Sequence, residues 1–459
     1  MDRKGIARTQ QQRMVNQLRH SGSAAFVEVL AGPQLGDTLQ SLMRGHRRRI
    51  FTPVETLSMF MAQALSADRG CQNAVNAAAL RRLGAGQPAC STRTGGYCQA
   101  RERLVTNMVS TLARRAGQAV SGHTSAAGHW QAHRVRLVDG TTLRMPDTAA
   151  NQAAFAQPTS QQAGLGFPIC RLVVLTCLGS GALLDAAIGP YQGKGADEHT
   201  LLRSMLHTLE PGEVLIGDAL YATYFLLCAL QARGIEGLFE QHGARRRSID
   251  FRRGQRLGTR DHLIVLAKPR RPEWMSIDEY ERAPEQLTVR ELCAGGRTLL
   301  TTLRCPKQAS KSELAALYGC RWHVELDLRN IKSTLGMDML SCQSAPMVIK
   351  EIWVYLLAYN VIRLLMAKAA VPAKILPRQL SFKHTLQLFT ASISQACALW
   401  RGPHLDLLVL IAQRRVGERP GRIEPRAIKR RPPAYPLLTK SRAVLKTELL
   451  SRRARAALN

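Results

Sequence analysis

Three features of this sequence predict a mixed α/β domain entered and left through helical segments. Short β-rich runs punctuated by glycine and proline begin at Arg134 and alternate with helical runs as far as Phe239. Strand-like runs without that alternation fill 240–310. Helical periodicity dominates the first 125 residues and returns from Ser312 to about Gln413. A chain of 459 residues is too long for one ordinary domain. The expected units are a helical region 1–125, an α/β core in two parts (126–239 and 311–370), a β-rich insertion 240–310, and a helical and basic region 371–459.

The elements follow in order. Val54 to Ala67 and Arg101 to Ala119 are apolar helical runs between polar and basic connectors. Arg44–Arg49 and the Ser91-Thr-Arg-Thr-Gly-Gly stretch before a helix at Tyr97 have the composition of phosphate-contacting segments, and equally of solvated charged faces. Arg134 to Val138 reads as a strand ending at Asp139-Gly140. Leu172 to Cys177 and Ala182 to Ile188 form a hairpin across Leu178-Gly-Ser-Gly, and Glu198 to Leu209 is an amphipathic helix. Val214 to Gly217 is a strand ending at Asp218, Tyr221 to Arg233 a helix, and Gly234 to Phe239 a strand. In the insertion, Ala244 to Arg260 is rich in arginine and His262 to Ala267 is a strand. Leu287 to Glu291 pairs with Thr298 to Leu303 through Ala294-Gly-Gly.

A formal net charge of +31 and a pI near 10.6 call for a polyanionic partner, of which nucleic acid is the commonest. The polar, basic start argues against a secretory signal and for a cytoplasmic protein. The most apolar stretch, Ile352 to Val371, contains Asn360, Arg363 and Lys368. It is therefore expected in a protein core rather than in a membrane. The 11 cysteines form no Cys-x-x-Cys pair, which removes the usual support for a zinc ribbon or a disulfide framework; most are expected as buried apolar side chains.

Asp139 and Asp218 both fall at the expected ends of strands, the first and fourth of the series. If those strands are neighbours, the two carboxylates converge. An Asp before Gly is also a common turn former, so neither residue is decisive alone. A third element adds weight: Tyr318, Arg321, Glu325 and Lys332 lie in a helical run and project within an arc of about 60° at about 100° per residue. That face combines an acid with two cations and an aromatic, as a metal ligand beside anionic phosphates requires and as a salt-bridge ladder also provides. Asp185, Asp197 and Glu198 are further carboxylates. Asp185 lies within a strand, and the other two begin a helix, where the dipole favours acids. His199 and His323 are the histidines to consider as ligand or base, and His323 projects away from the Glu325 face.

Leu137-Val-Asp-Gly-Thr, Ile216-Gly-Asp-Ala-Leu-Tyr and Tyr318-Gly-Cys-Arg-Trp-His-Val-Glu, in that order from Val135 to Lys332, resemble the insertion-sequence DDE transposases with the Tyr-Arg-Glu-Lys signature. The resemblance implies an RNase H-like catalytic domain with a β-rich insertion. It implies Asp139, Asp218 and Glu325 as catalytic ligands of two Mg²⁺ ions, with Mn²⁺ able to substitute. Such a pair sits roughly 3.5–4 Å apart and serves phosphodiester chemistry. Arg321 and Lys332 would hold phosphates, Tyr318 would lie beside the DNA backbone, and Trp274 is a candidate to hold a flipped base, or else a cap on the insertion's small core. Expected partners are transposon-end and target DNA, bound by a homodimer on paired ends, with no membrane. The N-terminal helices would read terminal inverted repeats. Pro425-Arg-Ala-Ile-Lys-Arg-Arg-Pro-Pro is a phosphate-binding stretch or a basic tail. A nuclease without strand transfer and a DNA-binding protein with an inactive site are the alternative functions.

Overall fold

The structure is a computed structural model that describes residues 50–394, except 85, 125 and 194, together with 405–417 and 438–456. The basic stretches 44–49 and 425–433 lie outside the described residues. Helix α1 (Pro53–Leu65) starts where the Thr52 side chain accepts from the Glu55 amide, with proline in the first turn, and α2 (Cys71–Gly84) follows. The expected single run from Arg101 to Ala119 is two helices, α3 (Gly95–Arg103) and α4 (Thr106–Gly122). They are divided at Leu104 and Val105, whose extended backbone (ψ 124° and 119°) breaks the helical course.

Among the described residues nine strands form one sheet. Its first half holds β1 (Val135–Arg144), β2 (Ile169–Cys177), β3 (Leu183–Pro190), β4 (Val214–Gly217) and β5 (Glu236–Glu240) in the order β3-β2-β1-β4-β5. β1, β2 and β3 are antiparallel, whereas β4 and β5 lie parallel to β1. Parallel neighbours need crossover helices. α6 (Glu198–Met205) leads into β4 and packs on β2 and β3; α7 (Tyr224–Gln231) connects β4 to β5. A short helix, α5 (Ala149–Ala154), lies between β1 and β2.

The insertion does not form a separate layer. After the arginine-rich turn of helix α8 (Gly243–Arg247) come β6 (Gln255–Gly258), β7 (Asp261–Ala267), the short α9 (Ile277–Arg282), β8 (Gln286–Ala294) and β9 (Arg297–Thr301). β9 hydrogen-bonds to β5, so these strands extend the sheet in the order β5-β9-β8-β7-β6. The β8–β9 hairpin turns on Gly295 and Gly296, both at positive φ (58° and 75°), as a two-residue hairpin loop demands. Buried Arg290 pairs with Asp261 at 2.6 Å and donates to the Ala309 carbonyl, tying the insertion to the chain that returns from it.

Helices α10 (Lys311–Gly319) and α11 (Trp322–Arg329) then lead, through a π-helical turn at Asn330–Thr334, to α12 (Ala345–Ala370). α12 is apolar on all sides and buried along nearly its whole length against α4, as a helix inside a protein core must be. It is the one described helix long and apolar enough to cross a membrane, and 94% of its most apolar window is packed inside the molecule. Asn360 fits because its amide donates to the Ala113 and Leu183 carbonyls (2.8 and 2.7 Å) and its oxygen accepts from the Leu183 amide. The last described helices are α13 (Phe382–Ser394), α14 (Leu405–Ala412) and α15 (Arg442–Ala456). Among the described cysteines five are buried, and none forms a disulfide.

Candidate active site

The site forms where β1 outruns β4. The two strands pair in parallel from Val135–Val214 to Leu137–Ile216, and Asp139 and Asp218 each follow the last pair by two residues. Asp218 ends its strand as expected. Asp139 does not, because β1 continues to Arg144 paired with β2, its other edge left by β4 and bridged again, by Met339, at Arg144. The carboxylate thus stands on a strand whose parallel edge has just been vacated. The Asp139 oxygen accepts from the Gly140 amide at 2.8 Å, and Asp218 caps the next turn by accepting from the Leu220 amide at 2.9 Å. Burial, with Asp218 and Glu198 nearby, pushes the Asp139 carboxyl up from 3.8 to about 6, against the opposing pull of Arg321. Asp139 is therefore easier to protonate than a free carboxylate, chiefly because it is buried.

Tyr318, Arg321, Glu325 and Lys332 do not share one continuous helix. α10 ends at Gly319, α11 begins at Trp322, and the π-helical turn intervenes before Lys332. The regular 100° projection fails across both interruptions. The four side chains nevertheless gather near the strand ends, each by its own contact. The Tyr318 hydroxyl lies 3.4 Å from the Glu240 carboxylate at the end of β5. Arg321 pairs with Glu325 at 2.7 Å, Glu325 being a third exposed, and lies close enough to Asp139 to act on its charge. Lys332 donates to the Thr141 hydroxyl of β1 at 2.9 Å, and burial pushes its ammonium below the ordinary value.

Asp139 and Asp218 are thus neighbours, and α11, which packs on β1, carries Glu325 paired to Arg321, whose charge reaches Asp139. Among the described residues no three His, Cys, Asp or Glu side chains close into a metal-sized group. The donors are nonetheless hard oxygens of the kind Mg²⁺ or Mn²⁺ takes, and a bound cation would offset the burial that disfavours the Asp139 charge.

Trp274, which leads toward α9, stacks under the Arg203 guanidinium at 3.7 Å and meets the Phe225 ring edge-on at 6.2 Å. It remains 46% exposed. The other acids separate. Asp185 is buried in an ion pair with Arg114 (2.5 Å), and Asp197 caps α6 by accepting from the Thr200 amide. His323 faces Arg378, Asp327 and Arg363, away from the strand ends, as its projection predicts. Glu198 is the residue that the helix-dipole argument undervalued: its carboxylate lies over Gly140. The signal available in the sequence was the small residue beside Asp139, which leaves room for a neighbour.

The family model described as the Transposase DDE domain matches residues 130–361, a little over half of the chain. The chain is 29% identical over 360 residues, covering 74% of its length and 78% of the relative's, to the transposase InsG for insertion sequence element IS4 of Escherichia coli (strain K12). A solved structure of the piggyBac transposase synaptic complex with hairpin DNA aligns over 82% of this chain and 88% of that one, at 10% identity and a TM-score of 0.39. A DDE domain implies catalysis with divalent metal and DNA as the partner. By its matched domain the chain belongs to the DDE transposases and is a DNA transposase enzyme.

Proposed function

We propose that this transposase binds the terminal inverted repeats of its insertion sequence through the helices of 1–125, cleaves at the element ends by hydrolysis, and joins the freed 3′-hydroxyl to target DNA. The observation that carries the reading is the convergence of Asp139 and Asp218 on adjacent parallel strands, with Glu325 and Arg321 set against them. Asp139, Asp218 and Glu325 would hold two Mg²⁺ ions. When bound, such ions make the attacking oxygen nucleophilic at neutral pH and offset charge on the scissile phosphate.

The chain's own residues do the rest. Arg321 neutralises Glu325 and Asp139 in the DNA-free protein and passes to a phosphate oxygen when DNA enters. Lys332 binds a second phosphate beside Thr141. Tyr318, 2% exposed and held near Glu240, supports the site from beneath instead of lying beside the DNA backbone as expected, and Trp274 is the candidate to stack on a displaced base. The enzyme acts in the cytoplasm as a homodimer on two paired ends, with the C-terminal helices as its seat.

The test is cleavage of a labelled duplex bearing the element's own end, with Mg²⁺ or EDTA, by wild type and by Asp139→Ala, Asp218→Ala and Glu325→Ala. Each substitution is expected to lower cleavage on the order of a thousandfold or more while gel-shift binding persists. Retained cleavage in any one variant rejects that residue's assignment. Cleavage without joining of pre-cut ends to target DNA reduces the enzyme to a nuclease.

A further inference from the structure

An acid in the first turn of a helix ordinarily faces water and serves the dipole. Glu198 does not: its side chain is only 17% exposed, and both oxygens are engaged. One accepts from Arg171 Nη1 at 2.7 Å and the other from the Tyr221 hydroxyl at 3.0 Å. Arg171 lies in β2, directly across from Thr142 of β1. Tyr221 closes the 3₁₀ turn that Asp218 caps, is fully buried, and is held edge-on by His199 at 5.6 Å. Glu198 therefore bridges the β1–β2 pair and the segment that follows Asp218. Its carboxylate also fills the space where a β-carbon on Gly140 would stand. Because successive residues of a strand point to opposite faces, that carboxylate backs β1 from the side opposite the Asp139 side chain. Asp197, accepting from the Thr200 amide at 3.0 Å, fixes the helix start that aims Glu198 there.

We infer that Glu198 is a positioning residue of the reaction: from α6 it clamps the two strand ends that carry Asp139 and Asp218 and sets the spacing of their carboxylates. The inference rests on the proposed catalytic role of Asp139 and Asp218. It explains why position 140 is glycine although nothing in its backbone needs one: the requirement is room for the clamp, not a left-handed φ.

The test measures end cleavage across a Mn²⁺ series, with the melting temperature of each variant, for Glu198→Ala, Glu198→Gln, Gly140→Ala, the double variant Gly140→Ala/Glu198→Ala, and Asp139→Ala. Loss of a group that orients metal ligands typically costs about tenfold to a hundredfold, so Glu198→Ala is expected to need about ten times more Mn²⁺ for half-maximal cleavage. Glutamine can accept from Arg171 and donate to the Tyr221 oxygen, so Glu198→Gln should stay within about threefold of wild type. Gly140→Ala, whose methyl collides with the carboxylate, should fall below Glu198→Ala, and removing the carboxylate in the double variant should bring activity back to the Glu198→Ala level. A wild-type Mn²⁺ response in Glu198→Ala overturns the inference. So does a double variant no better than Gly140→Ala, or a loss that only tracks the fall in melting temperature. Cleavage retained by Asp139→Ala would instead sink the active-site reading beneath it.

Discussion

Helix α11 carries two carboxylates of opposite character two residues apart. Asp327 is fully buried and saturated: Arg363 reaches one oxygen at 2.7 Å, Arg378 the other at 2.7 Å, and the Tyr359 hydroxyl lies at 3.1 Å. Arg378 also donates to the Cys177 and Leu178 carbonyls, so this acid pins α11 to α12 and to the β2–β3 turn. Glu325 is a third exposed and has one arginine, which Asp139 also attracts. The fold thus gives two cations to the acid that holds the helix and leaves Glu325 a single one, shared with Asp139. A carboxylate meant to meet a cation must not already be neutralised from every side.

The largest effect that would break this comparison is on stability. Removing one partner of a buried ion-pair cluster leaves uncompensated charge and typically costs about 3–5 kcal/mol. Asp327→Ala, which strands Arg363 and Arg378, should lower unfolding free energy by about that much in urea denaturation. Glu325→Ala should change it by less than about 1 kcal/mol, as a single half-buried pair at i,i+4 allows. Equal losses from the two substitutions would erase the distinction.

Asp139 gives the second test, with the opposite sign. Its carboxyl is raised from 3.8 to about 6, first by burial and then by neighbouring acids, so the folded protein holds that proton more tightly than the unfolded chain. Stability is therefore lost as pH climbs through that window and is not regained above it. Asp139→Asn keeps an acceptor for the Gly140 amide without the charge. Discounted for partial exposure, it should stabilise the metal-free protein by about 2 kcal/mol at pH 8, shrinking toward zero by about pH 4. The same proton competes with metal, so the Mg²⁺ needed for half-maximal cleavage should rise below about pH 6. A substitution that destabilises at pH 8 would show that the fold needs the charge.

The same contrast explains what could be read in the chain. The strands at Asp139 and Asp218 follow from apolar runs ended by Asp, a local signal, whereas their being neighbours was only a condition, met by the pairing of β1 with β4. That β1 runs on past Asp139 depends on β2 continuing as its partner while β4 stops, which is set by pairing between distant segments. The Tyr318–Lys332 projection assumed unbroken 3.6-residue turns. Gly319 and the π-helical turn interrupt them, and tertiary contacts to Glu240 and Thr141, with the attraction between Arg321 and Asp139, regather the side chains. The insertion was visible as strands, but its fusion into the sheet through β9 and β5 was not. Glu198 was hidden for a similar reason: its position in a first turn has a sufficient local explanation, and only the fold reveals that it reaches Gly140.

The smallest expected effect concerns Lys332. Unlike the arginines locked to Asp327, this cation bonds a hydroxyl, Thr141 Oγ1, and its charge is lowered in favour by burial rather than matched by a carboxylate in contact. Spare positive charge beside the strand ends is what a phosphate would use. Each phosphate contact contributes about 0.9 to the slope of log affinity against log salt. Lys332→Ala should therefore weaken end binding by about five- to tenfold near physiological salt and flatten that slope by about 0.9. Thr141→Val removes the hydroxyl tie but keeps the charge, so it should leave the slope unchanged even if affinity drops. Should both variants flatten the slope equally, Thr141 itself would be the determinant of phosphate contact, through the aim it gives Lys332. Should neither do so, the charge at 332 serves the fold, and the division drawn between saturated and spare cations would fail at the residue where it is most exposed to measurement.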